Sequence, residues 1–320
     1  MSVDPLSDVL SLLKPHTYVV GGFDLGGEWS IQFEEHSGVK YYALVTGAAW
    51  LVVEGKSGPI RLHAGDCVLL PNGRRFVISG DLAAETVPFA ALPKSDWNGG
   101  IVTVNGGGDT MLLGGHFDYA GAHTEMLLGA MPSVVCLRDE NDKVGLRWAL
   151  ERMRYELNAF QPGANVVVHH LAHLLLVQAL RLYLSHGIGQ GVGWLFALGD
   201  SKIAAAVEAI HASPGEHWTL PVLAEKAGMS RSKFAARFKK VSGFSPIDYL
   251  TRWRMLLACD RLTNWNEPIS VIALSLGYES EAAFSTAFKR VMGCAPRKYA
   301  TQVRAGQRPI TSSEEALCKQ

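Results

Sequence analysis

The sequence predicts an α+β protein. An N-terminal β-barrel with two following helices precedes an all-α C-terminal domain of two helix-turn-helix units joined by a long helix. Three observations predict this: short apolar runs separated by turn residues fill residues 17–130, two apolar helical patterns occupy 144–186, and residues 218–300 contain one helical unit twice. Evenly spaced strands favour a barrel or sandwich, whereas a duplicated unit of this length must pack its apolar face on another element.

The C-terminal repeat has an offset of 50 residues. In each copy a short helix, a Gly-containing turn, a Ser at the N-cap and a second helix ended by Gly follow one another, at about 219–241 and 269–291. A longer helix over 245–262, with Pro246 at its first position, connects the copies. The matching pairs are Ser230/Ser280, Phe234/Phe284, Phe238/Phe288, Lys239/Lys289, Val241/Val291, Gly243/Gly293, Pro246/Pro296 and Tyr249/Tyr299.

The outward faces of the two second helices favour DNA binding. At 100° per residue the phenylalanines share one inward stripe, and the opposite face is small, hydroxylic and basic. Such a helix can enter a major groove while Lys and Arg contact phosphates; two solvated faces without a ligand are the alternative. The predicted DNA-binding residues are Ser230, Arg231, Ser232, Lys233, Ala236, Arg237, Lys239, Lys240, Ala282, Ser285, Thr286, Lys289 and Arg290.

The second copy resembles the DNA-binding domain of the AraC/XylS family of transcription regulators. The resemblance lies in Gly277-Tyr278-Glu279-Ser280, Phe284, Phe288-Lys289-Arg290 and the run from Gly293 to Tyr299. It implies recognition helices at 231–241 and 281–291, double-stranded DNA and RNA polymerase as partners, and activation as the commoner behaviour. Many relatives have a long polar side chain where this chain has Ala235 and Ala236, which leaves thymine-methyl and phosphate contacts to the first helix. Arg237 is either a backbone contact or a rim residue.

Charge is distributed unevenly along the 320 residues. Residues 1–198 hold 13 basic and 19 acidic side chains, whereas 199–300 hold 14 and 9, although the whole chain sums to zero. An acidic front and a basic back suit a sensor coupled to a nucleic-acid reader. The start resembles no signal peptide, no stretch approaches the roughly 18 apolar residues of a membrane span, and the five cysteines show no disulfide or metal spacing. We expect a soluble cytoplasmic protein without a cofactor.

The first part of the chain resembles a cupin domain of the kind fused to these regulators. The resemblance covers residues 47–55 and 62–73, in which Gly65-Asp66 and Pro71-Asn72-Gly73 are predicted turns. The alternative function is a cupin-type enzyme such as a dioxygenase or isomerase. Metal-dependent cupins carry a His-x-His pair with a following Glu and a late His, and the absence of this set from the sequence argues against that alternative. The predicted strands contain residues 18–20, 41–45, 49–53, 67–70, 101–104 and 110–113.

A small-molecule pocket is expected inside the barrel. Aromatic side chains can line an apolar site and an arginine can meet an anion, although each is also explained as an ordinary core or rim residue. Cys67 is either an oxidant sensor or a small buried hydrophobe. The residues predicted for the effector pocket are Trp29, Tyr41, Trp50, Arg74 and Phe76.

Two helices over 146–157 and 166–184 follow the barrel. The second is apolar around most of its circumference, which favours a partner, and in relatives this part resembles a dimerisation element, so a homodimer is predicted. His169 and His173 are four residues apart, a spacing that fits either a metal or helix packing. The predicted domains are the barrel at 1–140, the helical dimerisation element at 141–186, a glycine-rich linker at 187–199, the DNA-binding domain at 200–303 and a tail at 304–320.

Overall fold

The computed structural model describes most of the chain in two compact units. The barrel unit comprises the described residues within Pro15–Tyr119 and Met131–His186, and the helical unit comprises those within Met1–Lys14 and Gly187–Gln320. The described residues are 4–12, 15–92, 100–119, 131–138, 140–159, 161–186, 193–264 and 267–305.

The barrel unit is built from two sheets that enclose one core. The strands are β1 (Pro15–Leu25), β2 (Ser30–Phe33), β3 (Val39–Thr46), β4 (Ala48–Val53), β5 (Ile60–His63), β6 (Cys67–Leu70), β7 (Phe76–Ser79), β8 (Val87–Pro88), β9 (Ile101–Val104), β10 (Thr110–Tyr119) and β11 (Val135–Leu137). The first sheet has the strand order β11-β6-β3-β10-β1-β9 and the second β5-β4-β7-β2-β8. All six predicted strand segments lie in strands, and the two predicted turns follow β5 and β6.

Stacked aromatic rings fill the barrel interior. Phe33 lies parallel to Phe76 at 4.7 Å between ring centroids, and Phe89, from a short 3-10 helix after β8, stacks on Phe33 from another direction at 5.1 Å. Alternate residues of the strands point to this core, for example Ala49, Leu51 and Val53 of β4. Period-two burial is what a closed sheet requires.

Two helices, α2 (Glu140–Ala159) and α3 (Ala164–His186), complete the barrel unit. They pack on each other, α2 also on β1 and β3, and α3 also on β1 and β11. Although no span was expected from the sequence, the stretch Ala164–Leu184 of α3 is long and apolar enough to cross a membrane by length and composition, with a mean hydropathy of 1.4. Its contacts with α2 and two strands explain the same composition as packing within a globular domain.

The helical unit consists of nine helices among its described residues. The predicted two helix-turn-helix motifs and the long connecting helix are all present, so the α+β class is confirmed. The helices are α1 (Pro5–Leu12), α4 (Trp194–Gly199), α5 (Ala204–Ala212), α6 (Leu220–Lys226), α7 (Arg231–Ser242), α8 (Pro246–Asn264), α9 (Ile269–Ser275), α10 (Glu281–Met292) and α11 (Pro296–Arg304).

The same aromatic arrangement supports each helix-turn-helix motif. Phe238 meets Tyr249 edge-on at 5.3 Å and Phe288 meets Tyr299 edge-on at 5.6 Å, with all four side chains buried. Such pairs contribute about 0.5–1.5 kcal/mol beyond the apolar area they bury. The repeat seen in sequence is therefore a repeat of one core.

Glycine ends both second helices for a backbone reason. Gly243 and Gly293 have φ of 80° and 77°, and their N–H groups donate to the carbonyls of Lys239 and Lys289. Only glycine adopts this left-handed conformation without steric cost. At the N-termini the copies differ, because the Ser280 hydroxyl accepts from the Ala283 N–H at 3.1 Å whereas Ser230 makes no side-chain cap bond.

The sequence pattern did not predict the helices over residues 194–199 and 5–12. Residues 194–199 of the predicted linker form α4, because Trp194 is buried and stacks on Tyr249 at 3.8 Å. Residues 5–12 form α1 in the helical unit, where Val9 is fully buried and Asp8 lies 3.5 Å from the Nδ1 of His211. Residues 187–192 and 306–320, parts of the predicted linker and tail, lie outside the described residues.

We expect Phe288→Ala to lower the free energy of unfolding of the helical unit by about 3–5 kcal/mol, because it leaves a cavity where the ring was fully buried. Urea unfolding of the full chain, followed by far-UV circular dichroism, measures the decrease. Leu274→Ala is the control, since that side chain is 65% exposed. Equal decreases in both variants would contradict the core placement of Phe288.

Candidate functional site

The second helices of the two motifs, α7 and α10, have the same burial pattern. Over residues 231–240 and 281–290 each helix shows three exposed positions, a buried Phe, and then a second buried Phe four residues later. The outward faces are therefore fixed by the same inward phenylalanines in both copies. This is the geometry that a pair of equivalent reading helices requires.

Most of the predicted DNA-binding side chains lie on these exposed faces. Arg237 and Ser285 are half-buried. The exposed ones are Ser230, Arg231, Ser232, Lys233, Ala236, Lys239 and Lys240 on or beside α7, and Ala282, Thr286, Lys289 and Arg290 on α10.

Arg237 is held by an ion pair within the helical unit. Its Nη2 donates to Asp200 Oδ2 at 2.7 Å and its Nε donates to Asp200 Oδ1 at 3.1 Å. The carboxylate is almost entirely buried and also accepts from the Lys202 N–H at 2.9 Å. A bidentate pair of this kind anchors α7 to the segment after α4, which accounts for Arg237 without DNA. Its contact with a DNA backbone stays a prediction.

The exposed face of α10 carries a hydroxyl with a defined orientation. Thr286 Oγ1 donates to the carbonyl of Ala282 at 3.0 Å, which leaves the oxygen lone pairs and the methyl group on the outer face. An acceptor and a methyl can meet an exocyclic amine or a thymine methyl in a major groove. Glu281, at the start of the same helix, lies 3.9 Å from Arg297, so this acid has a basic neighbour.

Basic side chains in the last turn also have a structural role. Lys239 and Lys240 in α7, and Lys289 and Arg290 in α10, lie where the helix dipole presents its negative end. A cation there contributes typically about 0.3–1 kcal/mol to the helix. Their exposure leaves the ammonium and guanidinium groups able to contact phosphate as well.

The barrel unit contains a cavity of about 150 Å³. It arises from the register of three adjacent strands, in which Gly21 of β1 pairs with Gly114 of β10, and Gly114 pairs with Tyr42 of β3. The two glycines add no side chain to the inner face of the sheet at this row, and the Tyr42 ring lies against Gly114. The cavity is lined by Val19, Gly21, Phe23, Phe33, Lys40, Tyr42, Phe89, Gly114, Gly115 and His116.

None of the five residues predicted for the effector pocket is among the lining residues. Phe76 comes closest, because its ring stacks on Phe33 and lies 5.5 Å from the Lys40 Nζ. Trp29 belongs to the barrel core. Tyr41 points to the other face of its strand, where its hydroxyl donates to Met153 Sδ at 3.7 Å.

The remaining two predicted pocket residues lie on the outer surface. Trp50 projects from the outward face of β4 and carries the Arg61 guanidinium 4.7 Å from its ring centroid. Arg74 is exposed and donates from Nη1 to the Glu54 carbonyl at 3.1 Å. Trp50 points away from the core because alternate residues of a strand face opposite sides, whereas the exposed Arg74 lies in the segment between β6 and β7.

The barrel offers neither a reactive thiol at Cys67 nor a metal cluster in its described part. Burial raises the pKa of the Cys67 thiol to about 12, so the reactive thiolate is scarce near neutral pH. Among the residues that the structure describes, no three His, Cys, Asp or Glu side chains lie together as metal ligands, and His169 and His173 of α3 have no third ligand there.

Comparisons with known proteins match both units. A cupin family model covers residues 4–185, and a helix-turn-helix domain model covers residues 223–302. A Streptomyces antibioticus protein named as an AraC-like transcription regulator is 38% identical over 93% of this chain and 98% of its own length. The RCS-specific transcriptional activator RclR of Escherichia coli is 29% identical over 94% and 99%.

Among solved structures, the DNA-binding domain of AdpA in complex with a target DNA is 28% identical, with a TM-score of 0.31, and covers 33% of this chain and 95% of its own. The N-terminal match to a cupin, the C-terminal match to a helix-turn-helix domain and relatives that align along almost their whole length lead to one conclusion. The chain belongs to the AraC family of DNA-binding transcription regulators.

Proposed function

We propose that α7 and α10 enter two neighbouring major grooves of one DNA segment, and that a small molecule bound in the barrel controls this binding. The observation that carries the proposal is the repeated burial pattern, which leaves two basic faces on helices with one common architecture. Reading helices on one face of B-DNA lie about 34 Å apart, one helical turn. The single helix α8, which contributes buried residues along most of its length, gives the two motifs a stiff connection.

The two reading helices contribute unequally to sequence recognition in this proposal. On α7 the central outward position is Ala236, whereas the equivalent position on α10 is Thr286, which has a hydroxyl and a methyl. Alanine offers only a contact with a thymine methyl. Most base discrimination then comes from α10, and α7 chiefly positions the protein on phosphates.

The protein acts as a homodimer in this proposal. Trp148 and Tyr155, seven residues apart on α2, are 62% and 51% exposed, and Val167 and Leu174 have the same spacing and are exposed on α3. Aromatic and apolar side chains at heptad spacing on neighbouring helices are typical of helix-mediated association. A second copy of the chain is the partner that the family resemblance implies.

Activation through contact with RNA polymerase, in the cytoplasm, completes the proposed function. It follows the commoner behaviour of relatives, one of which is named a transcriptional activator. The effector acts by population shift, since a ligand changes DNA binding only if it binds the two conformational states of the protein unequally.

Lysines on the proposed DNA face should change the salt dependence of binding. For Lys239→Ala and Lys289→Ala we expect weaker binding to every sequence, and a slope of log K against log salt that is smaller by about 0.9 for each phosphate that the variant leaves without its cation. Footprinting across a salt series, beginning upstream of the protein's own coding sequence, supplies the operator and the slope. An unchanged slope in both variants would mean that the DNA face is assigned wrongly.

Lys56→Ala is the matched control in that experiment, because this exposed lysine lies in the turn between β4 and β5 and should leave the salt slope unchanged. Arg237→Ala leaves the nearly buried Asp200 carboxylate without its partner, so we expect a decrease of about 1–3 kcal/mol in unfolding free energy. A smaller salt slope in that variant would support the predicted contact of Arg237 with the DNA backbone.

Charge placed in the proposed dimer surface should separate the subunits. Light scattering of the full chain at micromolar concentration is expected to give the mass of a dimer, and Trp148→Glu the mass of a monomer with unchanged circular dichroism. Leu274→Glu, at a more exposed apolar side chain of the helical unit, should leave the dimer intact. A wild-type monomer would remove this part of the proposal.

A further inference from the structure

A lysine side chain lines the barrel cavity, and the described part of the chain gives it no acidic partner. Lys40 Nζ lies 5.4 Å from the centroid of the Phe33 ring and 5.5 Å from that of Phe76. Burial alone lowers the pKa of Lys40 to about 8, and among the described residues no carboxylate forms an ion pair with it. The aromatic faces offset part of the desolvation cost of the ammonium, and an anion would offset more.

Within the described residues, the titratable groups around Lys40 are two histidines and a tyrosine rather than acids. On the same row of the sheet His116 lies between Val19 and Lys40, and its Nε2 donates to the carbonyl of Ser37. His36 is neutral near pH 7, because burial and the charge of Lys40 lower its pKa to about 4. Burial also raises the pKa of Tyr42, so its phenol stays protonated. A ligand carboxylate would supply the counter-charge that the described groups do not.

The space beside Lys40 is small and apolar. Its lining includes the Tyr42 ring, which lies against Gly114, and the rings of Phe33 and Phe89, which stack on each other at 5.1 Å. A cavity of about 150 Å³ lined by apolar side chains is known to hold one benzene molecule. A planar ring of that size fits the cavity volume, whereas a long alkyl chain exceeds it.

We propose that the barrel binds a small organic monocarboxylate whose apolar part is about the size of one benzene ring, with the carboxylate on Lys40 and the ring in the cavity lined by Gly21, Tyr42 and Phe89. The proposal rests on the barrel being the effector site of the proposed function. One ammonium matches one negative charge, whereas a phosphate dianion needs several donors and an organic cation would be repelled.

Calorimetry of the full chain without DNA tests the proposal with two probes of one shape. We expect benzoate to bind at pH 7 at least about tenfold more tightly than benzamide, a difference of about 1.4 kcal/mol. Equal binding of the two, or binding of neither, would overturn the proposal. Because no DNA is present, this failure is distinct from that of the proposed function, which footprinting without benzoate tests.

Substitution of the lysine should remove the preference for the charged probe. Lys40→Met keeps the length of the side chain and removes the charge, so benzoate should bind no better than benzamide while benzamide binding persists. Lys56→Met, at an exposed lysine in the turn between β4 and β5, should bind both probes as the wild type does. A benzoate preference that survives Lys40→Met would contradict the proposed contact.

The pH dependence of the wild-type protein gives a test that needs no variant. Only the protonated lysine attracts the carboxylate, so benzoate affinity should fall above pH 8, by up to about tenfold per pH unit, with proton uptake on binding. The titratable groups that face Lys40 in the described residues are His36, Tyr42 and His116. His36 and Tyr42 stay neutral from pH 7 to 9. Flat benzoate affinity across this range would exclude Lys40 as the counter-charge.

Discussion

The edge-on contact between a phenylalanine and a tyrosine, made once in each helix-turn-helix motif, is the constraint on which the DNA-binding half depends. Phe238–Tyr249 and Phe288–Tyr299 each join the second helix of a motif to the helix that follows it. Rotation of α7 or α10 about its axis would expose a ring whose burial contributes about 1.5–3 kcal/mol. The buried faces are therefore fixed, and the basic faces opposite them are fixed as a consequence.

The connecting helix α8 supplies buried residues to the cores of both motifs. Near its start, Tyr249 stacks on Trp194, and Trp253 lies 3.9 Å from the parallel ring of His211; its later residues, such as Met255 and Leu262, enter the core of the second motif. A helix that supplies buried residues to two small cores makes them cooperative, because neither core is complete without it. The same packing explains why the nine buried residues of α8, among its 19, are not confined to one stripe.

How far the sequence was informative differs between the two units for a physical reason. The 50-residue repeat and the 3.6-residue period define which side of α7 and α10 is buried, so the exposed face could be predicted residue by residue. In the barrel a period of two defines alternation but not which alternate faces inward: Tyr42 lines the cavity, whereas Tyr41, a predicted pocket residue, points to the other face of the strand. Cross-strand pairing decides the rest, because the cavity depends on Gly21 meeting Gly114, which no local pattern indicates. Trp194 lies in the predicted glycine-rich linker, and its helix forms because the ring stacks on Tyr249, a distant residue that no local pattern indicates.

The two units use positive charge in opposite physical settings. Lys239 and Lys289 are exposed, so water and salt screen them and each adds a modest, sequence-independent attraction to phosphate by releasing counterions. Lys40 lies against aromatic rings, where the low dielectric makes the free charge costly and an anionic partner correspondingly effective. In the proposed complex, a ligand that pairs with Lys40 gains affinity from a charge that its apolar surroundings destabilise. Selectivity for one small anion then follows from the cavity volume, because the apolar part of the ligand must fit the cavity while its carboxylate contacts the ammonium.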